Sequence, residues 1–564
     1  MPNELQTAAY GPPARLAEAI FYNAWRGLSI SIFYAGRHSY FLQCQSRFQG
    51  PSCYRHNRET YLCDAKMIRS MADKSYFATA VEEPEFADVR PTKVGFVSLG
   101  CPKNLVDSEV MMGMLAGAGA ELVPKAEDAD VIVVNTCSFI ASAQQESVDT
   151  ILEMARHKTD GKAQKLIVAG CLVERFRGDI RKNIPEVDAV VGTGELEAIL
   201  SAAGLTPPSR GPSSLVNIST SRSEGDARAA QGRFSRESWD GAIADLPNYL
   251  YDEATPRVLA TPGYTAYIKI AEGCDHPCSF CIIPQLRGKF RSRRFESVIA
   301  EAERLALSGV REITLIGQDT TCYGEDFGLK DGLALLLEML AGIDGLRWIR
   351  FLYAYPNKIT GRLLDTIASH EKICSYMDVP LQHAAAPVLK RMKRGGGADI
   401  FLRSIEKMRR VIPNVTLRTS FIVGFPGETE KDFGDLCDFV REAQFDWMGT
   451  FGYSNQEGAG AFALDEQLPD REIERRRKQL MQLQRGISKR KKRALIGTEV
   501  DLLLEGTSDE TDLLLEGRTA MHAPEIDGKV FVNEVPEGVT PLVGEFYRAE
   551  IVEAHHYDLV AKIL

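Results

Sequence analysis

The sequence predicts a multidomain α/β protein: an open parallel sheet, then a parallel or open β/α barrel, then a small terminal β-barrel. Two observations point to the α/β part. From about residue 93 to 492, apolar runs of strand length alternate with helix-length segments, the pattern of parallel strands joined by helical crossovers. Six cysteines follow the carboxyl ends of such strands, in two groups of three, and that edge is where successive loops converge on a ligand. A third observation sets the terminus apart. Residues 493–564 turn to short β-type runs broken by Gly, Pro and Asp-Gly, as in small barrels of oligonucleotide-binding-like type.

Bulk composition excludes several classes. A chain of 564 residues has room for about three or four domains at roughly 150 residues each. Hydrophobic content of 44% with 26% charged residues is that of a soluble globular protein. No uninterrupted apolar run reaches the ~18 residues of a membrane span; the nearest, 20–35, is broken by Asn23 and Arg26. Twelve cysteines are too dilute for a disulfide scaffold, and a secretory signal is not evident, so a reducing cytoplasm with thiolate-bound metal fits better. The net charge of −10 is uneven: residues 495–564 hold 15 Asp/Glu against 4 Lys/Arg, a net of −11. That acidic module argues for a basic partner and against phosphate-backbone binding.

Residues 1–92 are read as an amino-terminal extension, disordered or a mis-assigned start. Positions 1–70 carry 8 Lys/Arg against 4 Asp/Glu, three cysteines (Cys44, Cys53, Cys63) and no sustained period. Cysteine spacings of nine and ten are not ligand spacings, and the segment is too aromatic for a transit peptide. Translation is expected to start at Met71, which intact-mass measurement checks.

Residues 93–205 read as the first cysteine-bearing domain. The runs 94–101, 129–137 and 165–171 are buried-type strands separated by helical segments such as 138–157. Cys101, Cys137 and Cys171 each lie just past one of these strands. One such cysteine is most simply a small core residue; three at the same topological position point to a three-thiolate cluster.

Residues 206–262, rich in Ser, Pro, Gly and Arg, read as a linker tethering two cluster-bearing domains. The second domain, 263–492, has strand-like runs near 264–270, 312–317, 347–354, 375–381, 415–424 and 445–453. Catalytic groups of such a barrel belong at the strand carboxyl ends. Cys274, Cys278 and Cys281 follow the first strand in C-x3-C-x2-C spacing. Three thiolates on one tight loop can hold three irons of a cubane and leave the fourth open. Structural zinc would want a fourth ligand, and His276, inside the loop beside Pro277, is poorly placed to supply it. Gly317-Gln318-Asp319, Gln382-His383 and Gly424-Phe-Pro-Gly-Glu428 follow later strands. Gly424 and Gly427 permit close backbone approach, though ordinary turn chemistry reads the same way. His383 is as consistent with a structural hydrogen bond as with proton transfer.

From Arg475 to Arg493 there are ten Lys/Arg and no acid, with Ile473, Leu480, Leu483 and Ile487 on a rough apolar face. A solvated basic helix, pairing with the acidic module, and an RNA or ribosome contact are both open readings.

With these pieces placed, residues 93–564 resemble the radical S-adenosylmethionine methylthiotransferases. The resemblance implies a flavodoxin-like domain (93–205), a partial (β/α)6 radical barrel (263–492) and a TRAM domain (493–564). The tRNA branch usually has Gly-Cys-Gln-Met-Asn at its first auxiliary cysteine. Here Leu99-Gly-Cys-Pro-Lys-Asn-Leu-Val-Asp-Ser-Glu109 and the loop Glu272–Gly288 are similar to the branch that modifies an aspartate of small-subunit ribosomal protein S-twelve. The resemblance implies two 4Fe–4S clusters, one on Cys274, Cys278 and Cys281 and an auxiliary one on Cys101, Cys137 and Cys171. S-adenosylmethionine would bind the open iron, and its one-electron cleavage would give a 5′-deoxyadenosyl radical that abstracts hydrogen from the aspartate β-carbon. The auxiliary cluster would present the sulfur, with no residue acting as acid or base. Phe280 would pack on the adenine, and Gly317, Gln318, Gly424, Gly427 and Glu428 would line the cofactor site. Expected partners are the ribosomal protein, a flavodoxin or ferredoxin as electron donor and a sulfur donor, with no membrane. Two alternatives stay open: a tRNA adenosine 2-methylthiotransferase, which the basic stretch 475–493 favours, and a non-enzymatic iron–sulfur sensor of RNA or ribosomes.

Overall fold

The computed structural model describes residues 90–206, 247–508, 511 and 514–564, together with four short strands between residues 30 and 62. These four, β1 (Ile30–Tyr34), β2 (Tyr40–Cys44), β3 (Tyr54–His56) and β4 (Thr60–Leu62), pair antiparallel in the order β1-β2-β4-β3 within a unit of their own. They occur where no regular element was expected; β-branched and aromatic residues are frequent in each. The start expected at Met71 lies outside the described residues.

The second unit, Arg90–Leu564, begins with a five-stranded parallel sheet. Its elements are β5 (Lys93–Ser98), α1 (Pro102–Gly117), β6 (Glu121–Val123), β7 (Val131–Thr136), α2 (Ala141–Thr159), β8 (Lys165–Gly170), α3 (Cys171–Asn183), β9 (Ala189–Val191) and α4 (Ile199–Ala203). Strand order is β6-β5-β7-β8-β9, the flavodoxin-like order, with its switch point between β5 and β7. All six residues of β7 are buried, as a central strand covered on both faces requires. The edge strands β6 and β9 have three residues each, too few to show a period in the sequence.

The described end of the expected tether is a packed strap. Tyr251 donates to Glu301 at 3.1 Å, and Arg257 bridges Glu109 of α1 at 2.5 Å and Glu301 at 2.6 Å. Residues 207–246 lie outside the described set.

The barrel follows: β10 (Thr265–Lys269), β11 (Ala271–Glu272), α5 (Ile283–Arg287), β12 (Arg291–Ser292), α6 (Phe295–Leu307), β13 (Glu312–Ile316), α7 (Gly332–Ala341), β14 (Trp348–Phe351), α8 (Gly361–Ser369) and β15 (Tyr376–Asp378). Then come α9 (Ala386–Arg391), α10 (Ala398–Val411), β16 (Thr416–Val423), α11 (Glu430–Ala443), β17 (Trp447–Gly452) and α12 (Asp470–Arg493). Parallel trios β10-β13-β14 and β15-β16-β17 are joined by a parallel bridge between Ile349 and Ile373. Among the described residues nothing pairs β17 to β10, so the barrel is open. Alternation sorts the side chains. Ala266, Ile268, Ile313, Leu315, Ile349 and Phe351 join the helix-covered core, while Lys269, Glu312, Arg350, Asp378 and Arg418 share the opposite, inner face and are buried or nearly so.

Five strands close the carboxy-terminal barrel: β18 (Glu499–Thr507), β19 (Leu515–Thr519), β20 (Val530–Glu534), β21 (Phe546–Ala554) and β22 (Leu559–Ile563), in the order β18-β19-β20-β22-β21. The segment after β19 docks on the amino ends of the large barrel's strands. Ala520 accepts from Arg350 at 2.9 Å, Met521 from Trp447 at 2.7 Å, and Asp527 from the Tyr376 hydroxyl at 2.6 Å. The small barrel therefore caps the end opposite the cysteine loop. The ion pairs that helix α12 makes beyond itself run to the large barrel. Arg475, Arg476 and Lys491 pair with Glu430, Glu428 and Asp446 of the large barrel. Among the described residues no helix is long and apolar enough to cross a membrane.

Candidate active site

The cysteine loop hangs from the carboxyl end of β10 and is anchored from several sides. Gly273 holds φ 80°, and a Cβ there would collide with the Lys289 carbonyl. Ser279 N–H donates to Met392 O at 3.0 Å and its hydroxyl to Arg391 O at 2.8 Å. His276 turns away from the cysteines: its Nε2 lies 2.6 Å from Asp319 Oδ2, and its ring stacks on Tyr355 at 3.8 Å. Arg394 covers the other side, over the Tyr355 ring at 4.4 Å, with one N–H toward Cys278 Sγ at 3.5 Å and another on Pro380 O at 2.9 Å. Burial pushes the Cys274 thiol up to about 11 and Cys281 up to about 12, against backbone N–H groups that lower both.

The second trio forms at the switch-point edge of the flavodoxin-like sheet. Cys101 is the N-cap of α1, Cys137 follows β7, and Cys171 opens α3. Gly100, at φ 91°, must be glycine, because a Cβ would sit 2.8 Å from that of Cys137. Ser147 accepts from the Cys137 N–H at 3.0 Å, and Asn135 ties β7 to α1 through Asn104 O at 2.8 Å and Ser108 Oγ at 2.9 Å. Burial pushes the Cys171 thiol up to about 12, opposed by the Arg287 guanidinium hydrogen-bonded to it.

Both trios offer only thiol sulfur. Among the described residues, only His276, Asp319 and Cys322 form a group whose ligand atoms all lie within 4.8 Å of one another. Neither trio is therefore gathered as tightly as one ion demands, whereas a multi-iron cluster takes one thiolate per iron and tolerates a wider set. The donor chemistry fits iron–sulfur clusters at both places.

A buried seam of charge joins the two edges. Arg287, on the helix that leaves the Cys274 loop, donates to Asp107 Oδ2 at 2.5 Å and to Asn104 Oδ1 at 3.1 Å, both on α1. Lys269 pairs with Asp107 and with Glu272, the latter at 2.6 Å. Burial alone would raise the Glu272 carboxyl, but Lys269 and Arg287 outweigh it and hold it well below the usual range. These residues carry a faint sequence signal: Lys269 interrupts an apolar strand, and Lys103 and Asp107 stand four apart just beyond Cys101.

The other expected residues divide. Gly317 and Gln318 lie on the seam, Gly317 O accepting from Lys103 at 3.4 Å and Gln318 donating to Glu272 at 2.5 Å. Phe280 packs on the apolar cluster of Ala385, Val388, Met392, Phe425 and Tyr453. Gly424, Gly427 and Glu428 stand at the carboxyl end of β16, packed against α12 and its approach. A Cβ at Gly424 would strike Ile473 of α12, and one at Gly427 would lie 2.5 Å from Glu466 Oε2. Glu428 Oε2 accepts from the Gly424 and Phe425 N–H groups, and its Oε1 lies 3.0 Å from the Arg476 guanidinium. His383 is fully buried, its Nδ1 accepting from Ala385 N–H at 3.0 Å.

Residues 93–192 match the Uncharacterized protein family UPF0004, residues 268–440 the Radical SAM superfamily and residues 496–564 the TRAM domain. The ribosomal protein uS12 methylthiotransferase RimO of Koribacter versatilis is 69% identical over 507 residues, 88% of this chain and 100% of that one. The proteins of the same name from Solibacter usitatus and Geobacter sulfurreducens are 56% and 46% identical, each over 84% of this chain and over 95% and 98% of their own. This chain belongs to the uS12 methylthiotransferase family. Within that family frame, the first match contains the Cys101 trio, the second the Cys274 trio, and the third coincides with the closed five-stranded barrel.

Proposed function

We infer that this protein is a radical S-adenosylmethionine enzyme that attaches a methylthio group to the β-carbon of an aspartate in ribosomal protein uS12. The observation that carries the reading is the near full-length identity to proteins of that name, joined to two cysteine trios at two sheet edges sharing one seam. Cys274, Cys278 and Cys281 hold one 4Fe–4S cluster, and Cys101, Cys137 and Cys171 hold a second. When bound, the clusters supply respectively the one-electron reduction of S-adenosylmethionine and the sulfur to be transferred.

The chain's own contribution is position. Arg287, fixed by Asp107 and Asn104, locks the helix after the first trio against α1, which starts at the second. Gly317 and Gln318 border the volume between them, and Phe280 supplies apolar surface beside the loop. A flavodoxin or ferredoxin as electron donor, a separate sulfur source and a cytoplasmic site of action belong to the same reading. The tRNA alternative is set aside on the near full-length match to uS12 methylthiotransferases, and Arg475, Arg476 and Lys491 of the basic helix have carboxylate partners on the large barrel.

The test is anaerobic incubation of reconstituted protein with S-adenosylmethionine, dithionite and a uS12 peptide. The expected outcome is 5′-deoxyadenosine and a peptide bearing one methylthio group at its aspartate. Modification of tRNA with an untouched peptide would reverse the substrate assignment.

A further inference from the structure

We propose that Lys103 is the binding group for the side-chain carboxylate of the substrate aspartate, an inference that rests on the function proposed above. Lys103 is 7% exposed and has no carboxylate partner among the described residues. Its Nζ lies 3.4 Å from Gly317 O and 3.4 Å from the centre of the Tyr353 ring, with the Cys101 thiol as the next acidic group acting on it. The other buried cations of this edge are answered: Lys269 by Asp107 and Glu272, Arg287 by the same two acids. A buried ammonium without a carboxylate partner is costly, and a substrate carboxylate would complete it.

Its position matches the demand of the reaction. The lysine backbone is two residues past Cys101, and its ammonium reaches Gly317 and Tyr353, just past the carboxyl ends of β13 and β14. Hydrogen removal belongs to the barrel side and sulfur attachment to the Cys101 side, so the reacting carbon must stand between them. In aspartate that carbon is bonded directly to the carboxylate carbon, and the carboxylate must therefore find its cation at the same place. Tyr353, which shapes the floor under Nζ, holds a left-handed φ of 64° and is fixed by Asp378 accepting from its N–H at 2.9 Å. Backbone held in that region marks a position over-determined by its surroundings. An asparagine side chain is nearly the same shape but offers no charge, and so leaves the ammonium unanswered.

The experiment uses reconstituted holoenzyme and two fluorescent uS12 peptides, one with the native aspartate and one with asparagine in its place. Binding is measured by anisotropy, with iron content recorded for each protein. The wild type should bind the aspartate peptide roughly 10- to 100-fold more tightly, as a buried charge-assisted bond gives. Lys103→Met should erase that preference with iron per chain unchanged, and Lys103→Arg should restore part of it. Equal binding of the two peptides by the wild type overturns the proposal without needing any variant. An unchanged preference in Lys103→Met, or loss of iron from it, overturns it too, the latter making Lys103 a counter-charge for the auxiliary cluster. Failure of the wild type to methylthiolate the aspartate peptide under reducing conditions would instead sink the functional reading itself.

Discussion

The two ends of the six-stranded barrel are built from the same residue types and put to opposite uses. At the amino ends, Glu312 sits between Arg350 at 3.2 Å and Arg518 at 2.7 Å, and further along the inner face Arg418 sits between Asp378 at 2.8 Å and Asp527 at 3.5 Å. The small barrel contributes one member to each set. At the carboxyl ends the seam of Asp107, Lys269, Glu272 and Arg287 is just as buried, yet it leaves things unanswered. Lys103 and Arg394 have no acid partner among the described residues, Gln318 Oε1 has no hydrogen bond, and Tyr353 and Gln382 keep left-handed backbone at φ 64° and 71°. A saturated end is a joint between domains; an end with open valences is a receptor.

Breaking the receptor end should give the largest effects. Cys278→Ala should abolish 5′-deoxyadenosine formation from S-adenosylmethionine; retained cleavage would remove the radical assignment. Cys137→Ala should separate the two trios, still producing 5′-deoxyadenosine while losing methylthiolated peptide by mass spectrometry. Full product from that variant would count against the auxiliary site. Glu312→Ala tests the joint. It leaves Arg350 and Arg518 buried without their shared carboxylate, a change that costs about 3–5 kcal/mol, read as a lower denaturant midpoint and faster proteolysis between residues 493 and 564. Burial alone would raise the Glu312 carboxyl, but the two guanidiniums hold it below the ordinary range. Its stabilisation is therefore complete at neutral pH and lost only as pH falls through that lowered value.

The receptor end was the more legible in sequence. Six apolar runs coincide with the six barrel strands, the C-x3-C-x2-C spacing follows the first of them and the other three cysteines follow strands of the flavodoxin-like sheet, because strand period and ligand spacing are local properties of the chain. What escaped depends on pairing across long sequence distances. Lys103 meets Gly317 over 214 positions and Asp107 meets Lys269 over 162, so no window of sequence contains both partners. The strap at Tyr251 and Arg257 was hidden in a Pro- and Ser-rich stretch for the same reason. The Gly424–Glu428 turn is a case of another kind. Its glycines signal close approach, and Ile473 of α12 is one group that approaches Gly424; a ligand and a helix demand the same missing Cβ, so sequence does not separate the two.

The joint itself contains an exception that sharpens the comparison most finely. Lys492 of α12 is 5% exposed and lies over the Trp447 ring at 3.4 Å. Burial draws its ammonium from the ordinary 10.5 down to about 8, with Asp446 opposing the fall. Because the folded state binds that proton more weakly than the unfolded chain, unfolding takes up a proton between these two values, and stability rises with pH across that window. Lys492→Met removes the burial cost of the charge, worth up to about 3 kcal/mol at roughly 1.4 kcal/mol per pH unit, while forfeiting about 1–2 kcal/mol of cation–π attraction. The variant should be modestly more stable than the wild type at pH 7, and the gap should close towards pH 10 in paired denaturation curves. A gap that widens with pH would mean the ammonium is stabilised where it lies, and that this end, like the other, keeps a cation for a partner.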